Sequence, residues 1–228
     1  MHPIGSPQTR RHFKLGQFIH PTDSHLRLIG LYIQTDATFA KFLAGIDDDF
    51  QLPCLRTLKI RQTSLTDASL NSIISFCPNL KCLDLSFTPV RRPPPLLSAS
   101  SIPALEKLSL TSTRVASSDL LAVVTLLPQL RTLSLGALGG GQGSSAAIGN
   151  SSAMTMNDET LYALTDRLES FHYLEDVNLV GNTKLGITAS GDGALLNFIS
   201  RVGRKCKVRS KKILECIQLS GSSTPNRG

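Results

Sequence analysis

The side chains in this sequence that can do covalent or metal chemistry are few and poorly spaced for it. Of five histidines, four fall within the first 25 residues and the fifth is His172, and none stands in a His-Glu-x-x-His array. Asp47-Asp48-Asp49 concentrates carboxylates but lacks the alternating spacing of a calcium loop, and it reads as a solvated turn. Gly139-Gly-Gly-Gln-Gly143 is not followed by Gly-Lys-Ser/Thr and is not fed by a strand entering a helix, so no phosphate cradle is expected. The five cysteines (Cys54, Cys77, Cys82, Cys206, Cys216) are odd in number, form no Cys-x-x-Cys pair and sit within apolar patterns. That is the usage of reduced intracellular thiols rather than of a disulfide framework or a metal site. The expectation is a chain that is not an enzyme and takes no metal and no cofactor.

Charge is the second chemical resource. The net charge of +7 resides wholly at one end: residues 1–200 hold 16 basic and 16 acidic side chains, whereas 201–228 hold 8 basic residues and one acid, Glu215. Seven of the eight, Arg201, Arg204, Lys205, Lys207, Arg209, Lys211 and Lys212, lie within twelve residues. Such a cluster fits nuclear import or phosphate contacts. It also fits a solvated helix end facing the negative pole of its own dipole. No aromatic residue is interleaved to stack on bases, so nucleic acid is the alternative partner rather than the first. Thr88-Pro-Val-Arg91 has the form of a proline-directed phosphorylation site, a use open to it only if the hydroxyl faces solvent.

These residues must be positioned by a repeat. The segments Leu55-Arg-Thr-Leu58-Lys-Ile60, Leu80-Lys-Cys-Leu83-Asp-Leu85, Leu105-Glu-Lys-Leu108-Ser-Leu110 and Leu130-Arg-Thr-Leu133-Ser-Leu135 start 25 residues apart. Leu174-Glu-Asp-Val177-Asn-Leu179 follows after 44, and Leu28-Ile-Gly-Leu31-Tyr-Ile33 precedes the first by 27. Each reads as a short strand with its leucines inward. Eight positions on stands a residue able to hydrogen-bond a buried turn: Thr63, Thr88, Thr113 and Asn182, with Leu138 interrupting the series. A further apolar anchor follows at Leu65, Val90, Val115 and, slightly out of step, Leu185. Between strands, apolar residues recur at helical intervals: Leu70, Ile73 and Ile74; Leu120, Val123, Val124 and Leu127; Leu161, Leu164 and Leu168; Leu195, Phe198, Ile199 and Val202. Asp67, Ser117 and Asn157 are suitable helix caps. A strand, turn and helix in about 25 residues cannot bury its own apolar face, so the copies must stack. The expected fold is an α/β leucine-rich-repeat solenoid, curved, with parallel strands on the concave face and helices or irregular segments on the convex face.

Leu65-Thr-Asp67-Ala-Ser-Leu70, continued through Cys77-Pro-Asn-Leu80-Lys-Cys-Leu83-Asp-Leu85-Ser, resembles the cysteine-containing leucine-rich repeats of the ribonuclease-inhibitor-like superfamily, best known from F-box proteins. The Cys-Pro-x-Leu junction becomes Leu127-Pro-Gln-Leu130 in a later copy. The resemblance spans roughly residues 26–200 and implies a binding module, in a ubiquitin-ligase adaptor the part that recognises substrate. No F-box-like helical segment is expected in the first 25 residues.

Strand side chains alternate, so the residues between the leucines must face outward: Tyr32 and Gln34; Lys59 and Arg61; Asp84 and Ser86; Lys107, Ser109 and Thr111; Thr132 and Ser134; Asp176 and Asn178. Polar and of mixed sign, this row suits a protein partner. Its named contacts are Tyr32, Lys59, Arg61, Asp84, Lys107, Ser109, Asp176 and Asn178. The chain divides into an N-terminal extension (1–25), the repeats (26–202) and a basic tail with an atypical last repeat (203–228), in which Ile213–Leu219 reads as a strand. Two stretches break the rhythm: the Arg91-Arg-Pro93-Pro94-Pro95 linker, which replaces a helix, and a Gly/Ser-rich insertion at 136–156. No run approaches the roughly 18 uncharged apolar residues of a membrane helix. A cytoplasmic or nuclear location is expected.

Overall fold

The computed structural model describes residues 22–27, 35–43, 50–92, 104–136, 156–182, 185 and 193–210. They form one all-parallel seven-stranded sheet whose strands lie in chain order: β1 (His25–Arg27), β2 (Thr57–Lys59), β3 (Cys82–Asp84), β4 (Lys107–Ser109), β5 (Thr132–Ser134), β6 (Asp176–Asn178) and β7 (Lys207–Arg209). Five helices alternate with them: α1 (Asp36–Leu43), α2 (Asp67–Ser75), α3 (Ser117–Thr125), α4 (Asp158–Leu168) and α5 (Gly193–Arg201). A parallel sheet in which every strand pairs only with its sequence neighbours is the topology of a leucine-rich-repeat-like solenoid.

Register follows from the leucines. Leu26, Leu58, Leu83, Leu108, Leu133, Val177 and Val208 stand opposite one another across the whole sheet. The five from Leu58 to Val177 are sealed from solvent. A slip of one residue would turn a strand's inward leucine or valine to water and, on all but one strand of the sheet, could bring a charged or ionisable side chain inward, so burial locks the pairing. The columns Leu55, Leu80, Leu105, Leu130, Leu174 and Ile60, Leu85, Leu110, Leu135, Leu179 are buried alongside. Helix residues Leu70, Ile73, Ile74, Leu120, Val123, Val124, Leu161, Leu164, Leu168 and Phe198 close the core from the other side.

The turn after each strand is stabilised as the Thr/Asn series implies. The hydroxyls of Thr63, Thr88 and Thr113 donate to the carbonyls of Ile60, Leu85 and Leu110 at 3.2, 2.7 and 2.8 Å. Asn182 gives two bonds, to Leu179 at 2.8 Å and across the stack to Leu135 at 3.0 Å. Leu135 is the carbonyl that a residue at position 138 would otherwise serve. The amide's second N–H thereby covers the interruption. The residue before each rung, Gln62, Phe87, Ser112 and Gly181, has positive φ.

The sheet extends beyond both sequence-derived limits. β1 lies at His25–Arg27, ahead of the expected Leu28–Ile33, with Leu26 opposite Leu58 and the polar His25 and Arg27 on either side of it. Residues 28–34, Tyr32 and Gln34 included, lie outside the described residues. At the other end, Lys207-Val208-Arg209 from the expected tail is the seventh strand, since Val208 falls 31 residues after Val177 and pairs with it directly. The candidate strand 213–219, the prolines 93–95, Asp47–Asp49 and most of the Gly/Ser-rich insertion also lie outside the described residues. Gly136 and Met156, taken as ends of that insertion, are buried in the stack.

Two of the three expected helix caps act differently. Asn157 does cap α4, accepting from the Thr160 N–H at 2.9 Å. Asp67 and Ser117 instead open their helices as first-turn residues, behind Thr66 and Ala116. The Asp67 carboxylate turns to the next repeat and accepts the backbone N–H groups of Arg91 and Arg92 at 2.9 and 3.1 Å. Asp36 does the same one repeat earlier, accepting from Thr66 N at 2.9 Å, Thr66 Oγ1 at 2.6 Å and Ser69 Oγ at 2.5 Å. Among the described residues, no helix is long and apolar enough to cross a membrane.

Candidate partner-binding face

The helices cover one face of the sheet, and the other is left open, lined by the residues that alternate with the buried leucines. One row reads His25, Thr57, Cys82, Lys107, Thr132, Asp176, Lys207; the next reads Arg27, Lys59, Asp84, Ser109, Ser134, Asn178, Arg209. Six of the eight expected contacts, Lys59, Asp84, Lys107, Ser109, Asp176 and Asn178, therefore share this face on β2, β3, β4 and β6. Arg61 continues β2 beyond Ile60 and joins them through Asp84. Tyr32 lies outside the described residues, and the residue paired with Lys59 on the adjacent strand is Arg27.

Several of these side chains are already engaged with one another. Arg61 Nε stands 3.5 Å from Asp84 Oδ2, and its guanidinium lies over the Phe87 ring at 5.8 Å. The other oxygen of Asp84 accepts from the backbone and hydroxyl of Ser86 at 3.1 and 2.6 Å, and Ser86 Oγ meets Ser109 Oγ at 2.7 Å. Arg209 forks onto Asp176 through Nε and Nη2 at 3.0 and 2.8 Å, a bidentate arrangement that fixes both side chains. Asn178 accepts from Val180 N at 3.0 Å. Arg27, Lys59, Lys107 and Lys207 make no ion pair or side-chain hydrogen bond among the described residues.

The basic cluster separates in three dimensions. Arg201 ends α5 on the helical side, where it bonds Asp166 at 2.8 Å and also Glu169. That bond with Arg201 holds the Glu169 carboxyl below the ordinary glutamate range. Lys205 donates to the Glu169 carbonyl, and Arg204 is exposed in the turn. Lys207 and Arg209 stand on the open face instead. What the sequence presents as one run of cations is thus divided between two faces; Lys211 and Lys212 lie outside the described residues.

At the start of the strands a charge ladder runs along the sheet edge. Lys81 donates to Glu106 at 2.7 Å, and Arg131, itself over the Tyr173 ring at 5.9 Å, pairs with Glu175. Beside it a cleft of about 490 Å³, lined by Pro128, Arg167, Phe171, His172 and Tyr173 among others, opens between the ends of α3 and α4. Its aliphatic hydroxyls, those of Thr125 and Ser170, donate to the carbonyls of Leu121 and Arg167 at 2.8 and 3.0 Å. Cys77 is buried, and desolvation pushes its thiol up to about 12, which leaves it inert. Burial also raises Cys82, with Lys59 and Lys107 pulling the other way. Thr88 is 4% exposed with its hydroxyl turned onto Leu85, so a kinase cannot reach it in the folded chain. No protein-family model matches the chain, and no curated protein matches it.

Proposed function

We propose that the chain is a non-enzymatic module that binds a protein partner on the open, concave face of its sheet. The observation that carries this reading is the seven-strand array of outward, mostly polar side chains, held at fixed spacing by the inward leucines and valines beneath, five of them sealed from solvent. A rigid array loses little conformational entropy when a partner docks, which is the condition for affinity at a largely polar surface. The resemblance of Leu65–Leu85 to the ribonuclease-inhibitor-like repeats of F-box proteins supports a role in substrate recognition by a ubiquitin-ligase adaptor. Division of the basic cluster between two faces argues against a tail that docks on nucleic acid by itself.

The test is obstruction of the face. Thr132→Arg with Ser134→Arg places two long side chains in mid-sheet without touching the leucines. Retention of partner from cell extract is expected to fall by about tenfold or more, while Arg167→Ala with Arg204→Ala, on the helical side, leaves it unchanged and circular dichroism is identical for all three. Loss in the second variant and retention in the first would reject the concave-face reading.

A further inference from the structure

The described open face carries six cations, Arg27, Lys59, Arg61, Lys107, Lys207 and Arg209, against two carboxylates, Asp84 and Asp176. Both carboxylates are consumed internally, by Arg61 and Arg209. What remains for a visitor is an unneutralised positive charge, and its distribution is uneven. Arg27 and Lys59 are direct neighbours across β1 and β2. Lys107 stands two strands beyond Lys59, on the far side of Cys82. With strands about 4.8 Å apart, these three span roughly 15 Å. Beyond them Ser109, Thr132, Ser134 and Asn178 line the sheet as neutral donors and acceptors, and Lys207 closes the row.

We infer that the partner engages this face through an acidic, extended peptide segment, its carboxylates on Arg27, Lys59 and Lys107 and its backbone across the hydroxyls of β4 and β5. The inference rests on the concave-face reading and specifies the chemistry of its ligand. A peptide is favoured over a nucleic-acid strand by the side chains between the cations. Serine, threonine and asparagine can satisfy peptide N–H and C=O groups, whereas the two described rows offer bases a single ring, the His25 imidazole at the end of the sheet, which is hydrogen-bonded to Ser24 Oγ at 2.7 Å. Phe87, which lies outside these rows, is already covered by Arg61. Unpaired cations on a rigid sheet also repel one another, so the free protein stores an electrostatic penalty that an anionic ligand relieves.

The experiment is fluorescence anisotropy on the full chain with three labelled probes of equal length: an alternating Glu/Ser dodecapeptide, a Gly/Ser dodecapeptide and a single-stranded DNA 12-mer. The Glu/Ser peptide is expected to bind, to weaken with added salt, and to lose about tenfold in affinity in Lys59→Ala/Lys107→Ala, with Arg204→Ala/Lys205→Ala unchanged. Equal affinity for the Glu/Ser and Gly/Ser peptides overturns the inference. Tighter binding of DNA, lost in the same double variant, replaces the peptide by a nucleic acid and overturns it too. If the Glu/Ser peptide fails while Thr132→Arg/Ser134→Arg still abolishes partner capture, only the acidic chemistry is wrong and the concave-face reading stands.

Discussion

Asn182 does at one position what a threonine cannot, because a carboxamide has two N–H donors and a hydroxyl one. Its loss takes one donor each from the buried carbonyls of Leu135 and Leu179, the second of which keeps only the longer bond from the Asn182 backbone N–H at 3.3 Å. Asn182→Ala is expected to cost roughly 2–4 kcal/mol, against about 1–2 for Thr113→Val, in urea titrations. Asn182→Thr should fall between them. Leu108→Ala should cost roughly 2–5 kcal/mol through lost burial and a cavity, while Ser109→Ala beside it, losing one hydroxyl contact, costs about 1 or less. Equal effects at 108 and 109 would disprove the alternation. The left-handed residue before each rung gives a prediction of the opposite sign. Ser112 has φ of 54° and a buried Oγ that finds no hydrogen-bond partner among the described residues. Ser112→Gly removes both penalties and should raise stability by about 0.5–1 kcal/mol.

At the scale of elements, successive repeats are tied by carboxylates that reach forward, Asp36 from α1 to the start of α2 and Asp67 from α2 to the backbone of Arg91 and Arg92. Burial tends to raise the Asp36 carboxyl, but the combined hydrogen bonds from Ser69 and Thr66 outweigh it and hold it below the usual aspartate value. A group depressed in the folded state stabilises above its unfolded pKa, about 3.9, and that stability is lost as pH falls through the lower folded value. Asp36→Ala is therefore expected to lower the thermal midpoint at pH 7, through loss of contacts at the start of α2 comparable to a missing cap at about 1–2 kcal/mol. The gap from wild type should narrow toward pH 3. A pH-independent difference would show that the carboxylate's charge plays no part. This tie was not legible in the sequence, because Asp67 and Ser117 occupy positions where a local cap and a first-turn residue look alike. Only the neighbouring coil reveals that Asp67 bonds Arg91 and Arg92 instead. The strands themselves are legible wherever the 25-residue spacing holds, since in each of β2 to β5 a leucine points inward between two outward residues, all but Cys82 of them polar.

Across the whole molecule, sequence periodicity failed at the two ends for a shared reason. Leu26 and Val208 lie 32 residues before Leu58 and 31 after Val177, off the 25-residue spacing, and Asp23 and Lys205 stand where the strands between them carry Leu55, Leu80, Leu105, Leu130 and Leu174. Lys207 and Arg209 therefore read as tail in the sequence, and the Leu28–Ile33 pattern draws the first strand away from Arg27, although all three lie on the candidate face. The interior is interchangeable to the degree that its register is uniform. Removing residues 82–106, one full period, joins Leu80-Lys81 to Lys107-Leu108 and restores the strand pattern. That deletion is expected to fold cooperatively with a reduced m-value, as nearest-neighbour stability predicts. Removing only 82–94 should leave no cooperative transition in the same titration.

The second N–H of Asn182 has one more consequence, for what the chain can carry. A solenoid ordinarily resists foreign sequence after a strand, because the rung that seals the turn is displaced and its carbonyl goes unserved. Here the neighbour serves it, so the stretch between Gly136 and Met156 is relieved of that duty and becomes a graft point. A guest domain whose termini lie close together, spliced in place of 137–155, should leave the host's melting profile intact in wild type. It should destabilise the host when Asn182 is threonine, because a single hydroxyl serves the Leu179 carbonyl, as in the other rungs, and leaves that of Leu135 without its side-chain donor.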